Sequence, residues 1–115
     1  MKKIFIHGSG HKAASWDETI KHVKYNKEDL LCPNLSLILN GKEASYSNLY
    51  SSFIEYCSKI DGKIDLCGLS LGGILALNYA IDFPDKVESL ILIGTPYKVP
   101  KVLFSLQNVI FKVLP

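Results

Sequence analysis

Gly68-Leu69-Ser70-Leu71-Gly72-Gly73 is the segment of this chain with the fewest ways to fold. An apolar, strand-like run from Lys63 to Gly68 precedes it, and a stretch from Leu71 to Phe83 follows with almost no polar residue. Ile74, Leu75, Leu77, Tyr79, Ala80 and Ile81 lie around most of that second stretch. A helix apolar on most sides is a buried helix. A strand that passes into a buried helix across so few residues turns sharply, and the residues flanking the turn must be small. Gly68 and Gly72 meet that need. The turn leaves Ser70 at the helix N-terminus, where free N–H groups and a partial positive charge gather. Pro84-Asp85 closes the helix, and the next strand is expected over Val87 to Gly94. Its unbroken Leu90-Ile91-Leu92-Ile93 suits a strand covered on both faces, as in a parallel sheet.

The rest of the chain alternates in the same way. Lys3 to His7 is a short apolar run that ends in a glycine-rich turn. Ser15 with Glu18 forms a capping box, which predicts a helix from Trp16 to about Val23. A weak second strand, Asp29 to Cys32, stops at Pro33, and Leu35 to Glu43 is expected to be a loop. Ser45 or Ser47 caps a helix that runs to about Ile60, with Leu49, Phe53, Ile54, Tyr56 and Cys57 at helical spacing. Lys101 to Leu114 places Val102, Leu103, Leu106, Val109, Ile110, Val113 and Leu114 on one helical stripe. Core packing, a lid and a partner surface are all uses open to that stripe. Strands alternating with helices predict an α/β fold in which helices cover a parallel sheet.

The composition narrows the function classes. The 115 residues are enough for one domain. With 48% hydrophobic and 21% charged residues, the chain has the make-up of a globular protein. A net charge of +2, with lysines spread along the sequence, points to neither nucleic acid nor an anionic membrane as partner. Cys32, Cys57 and Cys67 show no Cys-x-x-Cys spacing, so no metal or disulfide framework is expected and free thiols fit best. Ile4-Phe5-Ile6 is too short for a signal-peptide core, and a cytoplasmic location is expected.

A serine hydroxyl becomes a useful nucleophile once it is exposed, deprotonated and given a site for the oxyanion it generates. Gly-Leu-Ser-Leu-Gly-Gly at 68–73 resembles the nucleophile elbow of the α/β-hydrolase family, and His7-Gly8-Ser9-Gly10 resembles its oxyanion loop. Ile93-Gly94-Thr95-Pro96 is similar to the place where that family's chain leaves the sheet toward a lid. The resemblance implies a three-layer α/β-hydrolase-like fold with strands in the order 2-1-3-4, with 1–115 as the N-terminal part of a single domain and a lid or cap beginning within 97–115. It implies that Ser70 is the nucleophile and that the Leu71 and Ser9 backbone N–H groups hold the oxyanion, with Gly10 as the substitute for Ser9. Gly8, Gly68 and Gly72 are then the loop and elbow glycines, and His7 shapes the loop. The implied reaction is hydrolysis of an ester, thioester or related small acyl substrate through an acyl-serine, with no metal or organic cofactor.

The family's order of Ser, acid and then His is not completed here. Only Asp82, Asp85 and Glu88 supply carboxylates after Ser70, and no histidine follows His22. The chain is therefore expected to be the N-terminal portion of a longer hydrolase, cut after about four strands and weak or inactive alone. Its fourth strand would be a bare edge, open to the missing C-terminal half or to self-association. Two other readings stand beside this one. A non-catalytic remnant that binds a partner fits the missing base. A dinucleotide-binding module fits Gly8-Ser9-Gly10-His11-Lys12-Ala13, with Glu28 or Asp29 as the ribose acid.

Overall fold

The computed structural model describes residues 1–8, 16, 21, 26–93 and 110–114. Five parallel strands form one sheet: β1 (Lys2–Ile6), β2 (Leu30–Leu31), β3 (Ile64–Leu69), β4 (Val87–Ile93) and β5 (Ile110–Leu114). They lie side by side in the order β2-β1-β3-β4-β5, so the expected 2-1-3-4 arrangement is present and β5 extends it. Three α-helices are described: α1 (Leu35–Ile38), α2 (Tyr46–Ser58) and α3 (Leu71–Asp82).

Strand register divides the sheet into two unlike faces. Ile4 of β1 stands beside Leu66 of β3 and Leu90 of β4, and none of the three is more than 1% exposed. Phe53 and Cys57 of α2 and Leu75, Ala76, Tyr79 and Ala80 of α3 complete this core. Phe53 meets Tyr79 edge to face with ring centroids 5.6 Å apart. The ring quadrupoles favour that arrangement.

The opposite face carries Lys3, Asp65 and Ser89 in one row and Phe5, Cys67 and Ile91 in the next. Lys3 Nζ pairs with Asp65 Oδ2 at 2.6 Å, and Ser89 Oγ donates to Asp65 Oδ1 at 2.5 Å. Trp16, 4% exposed, packs on Phe5 with centroids 5.2 Å apart. Among the described residues this face is half-buried, so β4 is less evenly covered than its unbroken apolar run suggests.

Local sequence explains most boundaries. Ser45, rather than Ser47, caps α2 by accepting from the Asn48 N–H at 3.1 Å, and the helix ends at Ser58, short of the expected Ile60. Two expectations are overturned. The loop expected over Leu35 to Glu43 contains α1. Asn34 Oδ1 accepts from the Ser36 N–H at 3.2 Å and so caps a helical turn that buries Leu35. The helix expected over Lys101 to Leu114 is a strand where it is described, 110–114, paired in parallel with β4. Ile110 and Val113 are β-branched, and an apolar β4 edge offers a ladder of unpaired backbone groups that a helix cannot satisfy. The fourth strand is thus not the sheet edge. Apart from Trp16 and Lys21, the helix expected from Trp16 to Val23 lies outside the described residues, as do 97–109 of the expected lid.

Leu75 is fully buried and Leu37 is 74% exposed, so the two leucines separate core packing from propensity. Leu75→Ala is expected to cost about 2–5 kcal/mol and Leu37→Ala no more than about 0.5 kcal/mol, read from urea denaturation midpoints.

Candidate active site

The site is built at the carboxyl ends of β1, β3 and β4. Ser70 links Leu69, the last residue of β3, to Leu71, the first of α3, and has φ 54° and ψ −114°. A non-glycine residue there carries backbone strain of about 1–3 kcal/mol, tolerated where its surroundings over-determine it. Those surroundings are visible. The Ser70 N–H donates to the Ile93 carbonyl at 3.0 Å, and its own carbonyl accepts from the N–H of Gly73 at 2.9 Å and of Ile74 at 3.1 Å.

The two flanking glycines permit that geometry. A Cβ on Gly68 would overlap the Gly72 carbonyl oxygen and stand 2.5 Å from Gly73 Cα. A Cβ on Gly72 would overlap the Ile6 carbonyl oxygen and stand 2.6 Å from that of His7. Each glycine is therefore required by backbone contact. Ser70 is half-buried and its side chain caps no N–H of α3. Leu71 opens the helix, so its N–H has no acceptor within the helix.

His7 has a different task. It is 4% exposed, its Nε2 accepts from the Leu35 N–H at 3.0 Å, and its Nδ1 lies 2.9 Å from the Gly8 carbonyl. A backbone N–H only donates and a carbonyl only accepts, so the ring is neutral with its proton on Nδ1. Nε2 joins the end of β1 to α1 and Nδ1 is held by the adjoining Gly8 carbonyl, so both nitrogens are engaged away from Ser70. The sequence points to the loop-shaping role but not to the partner, Leu35. Asn34 after Pro33, a helix-cap signal, is the available clue.

Ser70, Leu71, Gly68 and Gly72 are brought together at one corner, with buried Gly8 following His7 at the end of β1. Ser9, Gly10, His11 and His22 lie outside the described residues. The acids stand elsewhere. Asp82 closes α3, roughly 18 Å along the helix axis from Ser70 at about 1.5 Å per residue. Its carboxylate accepts from the Tyr50 hydroxyl. Glu88 pairs with Lys63 at 3.5 Å near the amino ends of β3 and β4. Among the described residues no His, Cys, Asp or Glu cluster could hold a metal. Glu28 and Asp29 precede β2, whereas a dinucleotide's ribose acid belongs beyond a strand's carboxyl end, so the nucleotide reading fails on placement. Asp29 instead pairs with Lys2 at 3.2 Å.

Cys67 is next to the elbow but is no rival nucleophile. Burial pushes its thiol up to about 11.

Comparison with known proteins bears on this corner. The α/β hydrolase fold family model matches residues 4–115. The pimeloyl-[acyl-carrier protein] methyl ester esterase of Wigglesworthia glossinidia brevipalpis is 33% identical over 96 residues, covering 80% of this chain and 35% of that protein. The chain thus spans about a third of that relative's length. Among solved structures, the haloalkane dehalogenase DatA of Agrobacterium tumefaciens C58 superposes with a TM-score of 0.68 at 21% identity, over 82% of this chain and 34% of its own. A thermophilic esterase from Thermogutta terrifontis gives 0.67 at 22% identity, over 88% of this chain and 40% of its own. At those identities the structural likeness shows the fold alone. No described helix is long and apolar enough to cross a membrane.

Two outcomes are expected. Gly72→Ala costs about 3 kcal/mol or more in chemical denaturation, because two backbone carbonyls meet the new methyl. The Cys67 thiol, raised from 9.0 to about 11, is modified slowly by iodoacetamide until the pH rises toward 11. Two pKa units correspond to about a hundredfold less thiolate at neutral pH, which is the rate deficit to be measured against a free thiol.

Proposed function

The chain belongs to the α/β-hydrolase fold family, and from that premise we propose that it is an esterase-like serine hydrolase whose nucleophile is Ser70. The substrate class is an ester, thioester or related acyl compound, and the intermediate is an acyl-Ser70. The observation that carries this reading is the strained backbone of Ser70 at a strand-to-helix turn, between two glycines in backbone contact. Strain at a single half-buried serine is a cost that packing alone does not call for, and an accessible hydroxyl above a helix N-terminus accounts for it.

In this reading Ser70 Oγ attacks the acyl carbonyl, and the carbonyl oxygen takes the negative charge. The Leu71 N–H at the start of α3 stabilises that oxyanion, with the Ser9 N–H as the second donor. The Oγ proton passes to a base, which returns it to the leaving alcohol or thiol as the acyl–oxygen or acyl–sulfur bond breaks, and water then cleaves the acyl–Oγ bond to release the acid and restore the Ser70 hydroxyl. The ester named for the curated relative supports an ester as the first substrate to try.

The reading divides the reaction. The family's base follows its nucleophile along the chain, no histidine follows His22, and among the described residues His7 has both ring nitrogens engaged. We therefore assign the acyl-accepting half to this chain and the proton-transferring half to residues it does not contain. Loss of the histidine from a Ser-His-Asp triad lowers kcat by about a millionfold, so turnover by these residues alone is expected to be very slow.

The test is stoichiometric rather than catalytic. Purified chain incubated with a fluorophosphonate and examined by intact mass is expected to gain one slow adduct, mapped to Ser70 and absent from Ser70→Ala. An adduct that persists in Ser70→Ala would remove Ser70 from the role. Fast ester turnover by the native chain, lost in Ser70→Ala, would overturn the division of the reaction.

A further inference from the structure

The chain leaves α1 through a turn that two residues decide. The Leu39 carbonyl accepts from the Lys42 N–H at 3.2 Å, and the residues between them, Asn40 and Gly41, have φ of 53° and 77°. Positive φ at both central positions is the pattern of a type I′ turn, for which Asn-Gly is a preferred pair. Asparagine tolerates the left-handed region and glycine enters it freely. Both residues are exposed, and a Cβ on Gly41 would meet nothing within 4 Å. Among the described residues nothing accepts from the Gly41 N–H and nothing bonds the Asn40 side-chain amide. The turn thus sets a free carboxamide beside an unbonded peptide nitrogen, with open space in which that peptide can rotate toward it.

The other described asparagines are held differently. Asn34 Oδ1 accepts from the Ser36 N–H at 3.2 Å and the Ser36 hydroxyl at 2.7 Å, and the next N–H, that of Leu35, donates to His7. Asn48 Nδ2 donates to the Glu43 carbonyl at 2.9 Å, and the Leu49 N–H after it donates to the Ser45 carbonyl at 3.0 Å. Asn78 Nδ2 donates to the Tyr46 hydroxyl at 3.0 Å, and Tyr79 after it lies inside α3. Asn26 makes no side-chain cap bond, but the residue after it is Lys27, whose side chain crowds the nitrogen where Gly41 presents only hydrogen.

We propose that Asn40-Gly41 is a self-modification site, at which the folded chain deamidates without an enzyme. The Gly41 nitrogen loses its proton to water and bonds to Asn40 Cγ. The Cγ–Nδ2 bond breaks, and Nδ2 takes up a proton and leaves as ammonia, which closes a succinimide ring. Water then opens the ring. Addition at Cγ restores the main chain with aspartate at position 40, and addition at the main-chain carbonyl leaves an isoaspartyl link. Either product adds a carboxylate and lowers the formal net charge of +2 by one. The new charge falls beside a cavity of about 260 Å³ that Asn40 lines together with Lys42, Ser52, Glu55 and Lys59. Lys42 Nζ donates there to Ser52 Oγ at 3.3 Å, and the modification gives that ammonium a carboxylate close by in the chain. The isoaspartyl form also inserts a methylene into the main chain within the turn that leads from α1 toward α2. The inference is independent of the role given to Ser70.

The test follows the full chain through incubation in mildly alkaline buffer, with ion-exchange chromatography and peptide mapping of each sample. A species with one positive charge less is expected to accumulate, its deamidation mapped to Asn40. Part of it is expected to elute with Asn40→Asp, and the rest to resist a protease that cuts before aspartate, as an isoaspartyl link does. The species is expected to be lost in Asn40→Gln, whose longer side chain closes a ring far more slowly. Gly41→Ala, its fold checked by circular dichroism, is expected to slow the modification, because the added methyl crowds the attacking nitrogen. Deamidation at Asn26 as fast as at Asn40, or an acidic species that persists in Asn40→Gln, would overturn the site. So would an Asn40 that stays intact in the folded chain while the same chain in urea is modified there.

Discussion

The structure turns on one close approach. The first turn of α3 lies against the carboxyl end of β1 so tightly that Gly72 has room for a hydrogen and nothing larger beneath the Ile6 and His7 carbonyls. That contact sets the direction in which α3 leaves the sheet, and hence the face on which Leu75, Ala76, Tyr79 and Ala80 bury the β1–β3–β4 core. It also sets where Ser70 stands. With α3 pinned to β1 and the Ser70 N–H tied to Ile93 at the end of β4, the residue between them has little conformational freedom left. The strain at Ser70 is thus sustained by three strands and a buried helix rather than by local sequence.

His7 extends the same logic to the neighbouring loop. Its Nε2 bond to the Leu35 N–H draws α1 against the end of β1, while Nδ1 holds the Gly8 carbonyl. The imidazole acts as a two-ended peg between chain segments 28 residues apart. A buried histidine with both nitrogens satisfied by backbone is costly to replace, since an apolar substitute leaves a helix N–H unpaired. Its position beside a nucleophile-like serine invites a catalytic reading, and the hydrogen bonds exclude it.

How much of this is legible in the sequence follows from how far apart the deciding groups lie. The elbow, its two glycines, the β1–β3–β4 strands and the buried α3 are readable because each is decided within a few residues, by turn sterics and apolar periodicity. The parallel order 2-1-3-4 follows from the family resemblance and is present. The last strand reads as a helix because the stripe from Val102 to Leu114 satisfies helical spacing, and periodicity alone cannot register the unpaired edge of β4 waiting beside it. The α1 turn escapes a sequence reading for a related reason. Its cap, Asn34, is local, but the anchor that holds it is His7, on another part of the chain. The cavity beside Asn40 is invisible from the same cause. Its walls come from α1, from the turn after it and from α2, and only packing brings them together.

That distinction also orders the chemistry. Exposing a hydroxyl and aiming N–H groups at an oxyanion are tasks that one turn can perform, so they leave a compact signature around Ser70. Proton transfer needs a second side chain carried to within hydrogen-bond reach from elsewhere in the fold, so it leaves no local trace. Asp82 and Glu88 illustrate the point from the negative side. Both follow Ser70 in the order the family uses, yet α3 carries one to its far end and β4 returns the other to the opposite end of the sheet. Each is engaged there by its own partner, Tyr50 or Lys63. Sequence order sets which acids are eligible, and the lengths of α3 and β4 decide that neither reaches. A strained Ser70 and carboxylates held far from it are therefore consistent outcomes of the same fold, and the corner around Ser70 does not depend on Asp82 or Glu88 to keep its shape.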